Sequence, residues 1–238
     1  MTLTVIGSDG AYPRPGSACS GYLVEAGKTL VMLDFGAGVL PRLTALTPPE
    51  DLAAVVLTHW HYDHASDLLP LIYRLQFANR RLQLYAPEDP DSGLKRIAAA
   101  SGVFDMHEIA PGDTFTVGEA RFSVGAARHP VPAVCVRAEY SGSSLGYTGD
   151  TNTLPSLAGF FRGCGLLLAD GAFPADAWAE NKPHLSARLA AELASEAGAA
   201  ECCIAHIMPH YAPEALINEA RLVRRDVMSA DPGLRLSV

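Results

Sequence analysis

The chain has 238 residues, enough to bury a sizeable core, and its 49% hydrophobic, 18% charged composition excludes a disordered polypeptide. With 18 basic against 26 acidic side chains the formal net charge is −8, which argues against a protein that holds nucleic acid chiefly through its phosphates. No secretion signal opens the chain, no apolar run approaches the ~18 residues of a spanning helix, and the five cysteines lack CxxC spacing and read as buried thiols, so a cytoplasmic protein without a membrane partner is expected.

Positions 2–7 (TLTVIG) alternate as a strand does, and GYLVEAG (21–27) and TLVMLDFG (29–36) read as two β runs around a tight turn containing Gly27 and Lys28. A short helix over 39–46 and the strand DLAAVVLTH (51–59) follow. Leu68, Leu69, Leu71, Ile72, Leu75 and Phe77 repeat at helical spacing within 66–79. LQLYAP (82–87) reads as a strand, LKRIAAAS (94–101) as a helix, and 104–147 as a β-rich run broken by Pro-Gly and Gly-Glu turns. The last third alternates a buried strand (165–173), an amphipathic helix (184–198), a second strand (201–209) and a helix over 213–227 with Pro213 in its first turn. Adjacent Cys202 and Cys203 point to opposite faces of their strand. Strands grouped with helices in each half, with no linker or repeat between, predict helices covering packed sheets in one domain, 1–238.

The densest polar cluster, Thr58-His59-Trp60-His61-Tyr62-Asp63-His64, directly follows the apolar run Ala54-Val55-Val56-Leu57. Three imidazoles and a carboxylate at a strand end suit more than one metal ion, since a single zinc takes three or four nitrogen or oxygen ligands at about 2.0–2.2 Å. His59 and His61 point the same way in extended geometry, Asp63 continues that parity, and His64 needs the chain to turn, as at a helix start. The competing reading is a polar loop whose histidines cap the next helix.

This cluster resembles the HxHxDH signature of the metallo-β-lactamase superfamily, and the resemblance extends over most of the chain. Asp34-Phe35-Gly36-Ala37-Gly38 matches the upstream Asp-x-Gly-x-Gly turn, whose aspartate supports the metal loop without ligating. His129 in AARHPVP, Asp150 in Tyr147-Thr148-Gly149-Asp150-Thr151, and His206 after Cys203-Ile204-Ala205 fall where the family's remaining ligands stand. The resemblance implies an α/β fold, an αββα four-layer sandwich with metals at one edge of the sheets. It implies one metal on His59, His61 and His129, and another on Asp63, His64 and His206, with Asp150 and a nucleophilic hydroxide between them. Two Zn²⁺ per chain suit this donor set, and Mn²⁺ or Fe²⁺ fit the same donors. On the residues alone, His129 before Pro130 also reads as an ordinary loop histidine, Asp150 as the cap of a helix starting near Thr153, and His206 as a satisfied core histidine.

Within the superfamily, antibiotic-cleaving members usually place a cysteine at Asp150, and the diiron oxygen reductases a glutamate at His61. Positions 5–25 (VIGSDGAYPRPGSACSGYLVE), Lys182-Pro183-His184-Leu185-Ser186 and Ala205-His206-Ile207-Met208-Pro209-His210 resemble the tRNase Z-like phosphodiesterases. That resemblance implies that His184, not a ligand, contacts the phosphate or protonates the leaving oxygen, while Asp63 orients or deprotonates the nucleophile. Without it, His184 is simply a residue beside a helix begun at Ser186.

The long basic arm of tRNase Z is missing. Between His129 and Asp150 (150 − 129 = 21 positions) Arg137 is the sole basic residue, which argues against pre-tRNA or other nucleic acid as the main substrate. The chain is most similar to compact, arm-less members, some of which hydrolyse cyclic nucleotides, so a small or cyclic nucleotide phosphodiester is the expected partner. Tyr62, Trp60 and Tyr211 are candidates for stacking on a base, His210 is a pocket or surface residue, and relatives suggest a homodimer. The alternatives are a thioesterase or lactonase of the same superfamily, a tRNA 3′-processing endoribonuclease, and a non-catalytic metal-binding relative.

Overall fold

The computed structural model describes residues 1–238 and builds them into two seven-stranded sheets. The first holds β1 (Thr2–Gly7), β2 (Gly21–Ala26), β3 (Thr29–Leu33), β4 (Ala54–Val56), β5 (Leu82–Ala86) and β6 (Phe104–Glu108). The second holds β7 (Thr114–Val117), β8 (Ala120–Ala126), β9 (Val134–Tyr140), β10 (Ser143–Tyr147), β11 (Leu166–Asp170), β12 (Glu201–Ala205) and β13 (Val227–Ser229). The last strand, β14 (Arg235–Ser237), returns to pair antiparallel with β1, so the orders are β14-β1-β2-β3-β4-β5-β6 and β13-β12-β11-β10-β9-β8-β7. Where tight turns connect neighbours, as at Gly27 with its φ of +60°, the pairing is antiparallel. Where helices intervene, β3 to β6 and β10 to β13 run parallel.

Period-two alternation builds three cores. Leu3, Val5, Tyr22, Val24, Val31 and Leu33 face Phe122, Val124, Val136, Leu168 and Cys203 across the two sheets. The opposite face of the first sheet, with Leu23, Met32, Val55 and Leu84, packs on α1 (Val39–Thr44), α2 (Tyr62–Ala65), α3 (Leu68–Phe77) and α4 (Gly93–Ala100). The opposite face of the second, with Leu167, Ala169, Cys202 and Ile204, packs on α5 (Ser156–Phe160), α6 (Ala187–Ala197) and α7 (Pro213–Arg221). The result is the expected αββα sandwich, with Cys202 and Cys203 on opposite faces and all five thiols buried and free. On α3 the outward stripe Leu69, Tyr73 and Phe77 stays exposed. No helix is long and apolar enough to cross a membrane.

Two departures lie near the C-terminus. The helix expected over 213–227 ends at Arg221, because Arg224 spends its guanidinium on the carbonyls of Ala199 and Ala200 (2.7 and 2.6 Å) and buried Val227 pairs with β12 as strand. Tertiary pairing here overrides local helix preference. β14 was likewise unforeseen, being three residues long with a largely exposed face.

Candidate metal centre

The loops leaving the carboxyl ends of β1, β3, β4, β8, β10, β11 and β12 converge on one edge of the sandwich, where residues of both sheets meet. His59 Nε2 lies 3.0 Å from His61 Nδ1, which lies 3.1 Å from His129 Nε2. Three nitrogens on a tetrahedral zinc sit about 3.3 Å apart, given metal–nitrogen distances of about 2.0–2.1 Å. Lone pairs aimed at a common point at this spacing repel unless a cation occupies it. Burial and, at His59, the neighbouring imidazoles push all three basicities down, which keeps the rings neutral and able to donate.

A second nest contains Asp63, His64 and His206. Its members are not all extended-loop residues as their parity suggested: the extended run stops at His61, and Asp63 lies within the first turn of α2. That turn swings Asp63 away from His61 and toward His206, whose Nε2 is 3.7 Å from Asp63 Oδ2, and also brings in His64, as expected of a helix start. Asp150 stands between the nests. Its Oδ2 faces His59 (3.5 Å) and His129 (4.0 Å), while its Oδ1 faces His64 Nε2 (3.1 Å) and His206 Nδ1 (3.4 Å). It caps no helix, since α5 begins only at Ser156.

The donor set fits two divalent cations. His64 Nε2 and Asp150 Oδ1 are buried, face one another, and have no aligned hydrogen-bond partner, a costly arrangement unless something else engages them. Burial opposes the charge on Asp150, yet His206, His64 and His184 hold its carboxyl well below the usual range. Burial pushes His64 down, but the carboxylates of Asp150, Asp34 and Asp63 outweigh it and raise the ring well above its ordinary value, marking a strongly anionic pocket.

Asp34 organises this centre from beneath. Its carboxylate accepts from the Thr58 amide (2.7 Å), the Thr58 hydroxyl (2.9 Å), His64 Nδ1 (2.7 Å) and the Tyr147 hydroxyl (2.6 Å). The bond to Nδ1 fixes the His64 tautomer with Nε2 free for a ligand role. Asp34 and His206 both adopt left-handed backbone, φ +58° and +59°, a strain that persists where surroundings over-determine it. Gly36 is required for a different reason: a Cβ there would sit 1.9 Å from the Asp63 carbonyl.

His184 joins neither nest. Its Nδ1 donates to Asp170 Oδ2 (2.9 Å), and burial, which lowers its pKa, is overcome by Asp170 and Asp150, raising it to about 9. Its ring nevertheless stacks beside His206, 4.9 Å between centroids, so it borders the centre with Nε2 unbonded to protein. Asp170 itself accepts from the Thr151 amide (3.1 Å) and the Ala172 amide (3.2 Å), is 1% exposed, and was missed in the sequence. The only sign of it is one carboxylate closing an otherwise apolar strand. Ser186 caps α6 by accepting from the Leu189 amide, as expected.

The aromatic candidates separate. Tyr62 and Trp60 both line a cavity beside His61, but Tyr62 is 73% exposed, whereas Trp60 is buried and donates Nε1 to the Pro87 carbonyl (2.9 Å). Tyr211 packs on the α6–α7 core, and exposed His210 lies against it, outside both nests.

A family profile described as Beta-lactamase superfamily domain matches residues 22–207. The chain is 30% identical to the probable metallo-hydrolase YhfI of Bacillus subtilis over 219 residues, 89% of this chain and 88% of that one. The crystal structure of YhfI superposes with a TM-score of 0.92 at 28% identity, covering 99% of this chain and 98% of the other. Ribonuclease Z of Methanopyrus kandleri is 28% identical over 276 aligned residues, covering 100% of this chain and 98% of its own. Human tRNase Z, short form, shares the fold with a TM-score of 0.83 at 17% identity, over 100% and 99% of the two chains.

Proposed function

The chain belongs to the beta-lactamase superfamily, and from that premise we propose that it is a dinuclear metal-dependent phosphodiesterase acting on a small or cyclic nucleotide. The observation that carries the reading is the Asp170–His184 pair, a proton donor held beside the double nest yet engaged in neither half of it. His59, His61 and His129 would hold one Zn²⁺, Asp63, His64 and His206 the other, and Asp150 would bridge them. When bound, the ions supply positive charge for the phosphate oxygens and acidify water.

The remaining chemistry belongs to side chains. Asp63 Oδ2 accepts from the Ala11 amide (2.8 Å), which orients the carboxylate and leaves Oδ1 to accept a proton from the attacking water. As the new P–O bond forms, the bond to the departing alcohol breaks in line, and His184 Nε2 gives that oxygen its proton. Asp170 stabilises the protonated imidazole and holds its orientation. The segment from His129 to Asp150 is filled by the β9–β10 hairpin with no arm, which favours a small substrate over a tRNA.

The test is turnover of bis-p-nitrophenyl phosphate and a cyclic-nucleotide panel by zinc-loaded protein, beside thioesters and lactones. Phosphodiester turnover that falls on replacing His184 supports the reading. Ester turnover alone, indifferent to His184, overturns it.

A further inference from the structure

A cavity of about 340 Å³ opens beside His61, between the loop after β5 and the loop after β8. Its lining includes exposed Tyr62, Pro130, Pro132 and two carboxylates, Asp89 and Asp91, with no cationic side chain. The nearby cations are already engaged. Lys95 pairs with Glu88 and Glu108, and Arg96 bonds the carbonyls of Pro90 (3.1 Å) and Asp91 (3.3 Å). Asp89 is 7% exposed; its Oδ1 accepts from the Asp91 amide (3.1 Å), and its Oδ2 takes no hydrogen bond from the protein. An acceptor so deeply set and so anionic repels phosphate and calls for a neutral group that donates a hydrogen bond. The apolar walls and the unpartnered Tyr62 ring ask that this group be flat.

Resting on the phosphodiesterase reading, we infer that this cavity receives the base of the nucleotide, stacked on Tyr62, and that Asp89 selects bases bearing an exocyclic amine. With the phosphate at the nests, His61 belongs to one nest and also lines the cavity, so the two spaces adjoin. A base presenting a carbonyl at the same position meets the Asp89 carboxylate acceptor to acceptor. A hydrogen bond to a charged group, made with one base and lost with the other, amounts to about 10–100-fold in discrimination.

The test compares isosteric pairs on zinc-loaded protein: cyclic AMP with cyclic IMP, and cyclic CMP with cyclic UMP. The expected result is kcat/KM about 10–100-fold higher for the amino member of each pair, a ratio that collapses toward one in Asp89→Asn. Tyr62→Ala should raise KM for every nucleotide with little change in kcat, and Tyr62→Phe should restore it. The Kd ratio of AMP to IMP, measured by calorimetry, should favour AMP in the wild type and lose that preference in Asp89→Asn. Equal handling of both members by the wild type, or a ratio untouched in Asp89→Asn, overturns the assignment. If no phosphodiester is hydrolysed at all, the activity reading fails, and the Kd ratio still decides the subsite.

Discussion

Replacing Asp34 with alanine should destabilise the fold by at least about 3 kcal/mol and loosen the metal centre, although Asp34 ligates nothing. The substitution leaves the Thr58 amide and hydroxyl, His64 Nδ1 and the Tyr147 hydroxyl as buried donors without an acceptor. Each such group costs about 1–3 kcal/mol, and partial relaxation, including rotation of the two hydroxyls, places the sum near the low end. Alanine at φ +58° adds about 1 kcal/mol of backbone strain that an acidic or amide residue tolerates better. Asn should therefore cost less, about 1–2 kcal/mol, since its oxygen still accepts from Thr58. Its amide group, however, meets His64 Nδ1–H donor to donor. Both variants should lose about 10–100-fold in zinc affinity, because the ring of His64 is no longer held. Urea unfolding under chelation reads the stability, and competition with a chromogenic chelator reads the affinity. An alanine variant within about 0.5 kcal/mol of wild type, with zinc affinity unchanged, would refute this reasoning.

His184→Ala should keep its zinc and lose about 10²–10⁴-fold in phosphodiester turnover, while Asp170→Asn should lose less at unchanged KM, since it only orients the ring; steady-state kinetics with metal analysis checks both. Gly36→Ala drives a Cβ to within 1.9 Å of the Asp63 carbonyl, so it should displace α2 and lower zinc binding at the Asp63–His64–His206 nest, seen as a reduced metal-to-protein ratio. Chelation should lower the melting temperature by about 10–20 °C relative to protein with zinc at a hundred times the Kd of each site, because binding to the folded state alone contributes about 2.7 kcal/mol at each of the two sites.

What could be read from the sequence was what lies close together in it. His59, His61, Asp63 and His64 fall within six consecutive positions, and the strand before them is continuous apolar residues, so a cluster suited to more than one metal, and its place at a strand end, were visible; the division into two nests came from the resemblance. The grouping of strands with helices showed only helices covering packed sheets; the αββα layering came from the family resemblance, and the structure places Leu167 and Leu168, like Cys202 and Cys203, in two different cores. Asp170 was not, because its partner stands fourteen positions away and nothing local distinguishes it from a strand-terminal carboxylate. Asp89 escaped for the same reason, its importance arising only where the β5 and β8 loops meet. The overrun of α7 shows the converse: 222–227 suit a helix locally, and the Arg224 bonds to the Ala199 and Ala200 carbonyls together with pairing of Val227 with β12 forbid it.

The central claim is that Asp150 bridges two cations. Anomalous-difference crystallography at the zinc edge, on crystals of reconstituted protein, addresses it directly. The account predicts two peaks, one on each side of the Asp150 carboxylate, the first within ligand distance of His59, His61 and His129 and the second of Asp63, His64 and His206. A single peak not in contact with Asp150, or none at either nest, would contradict it.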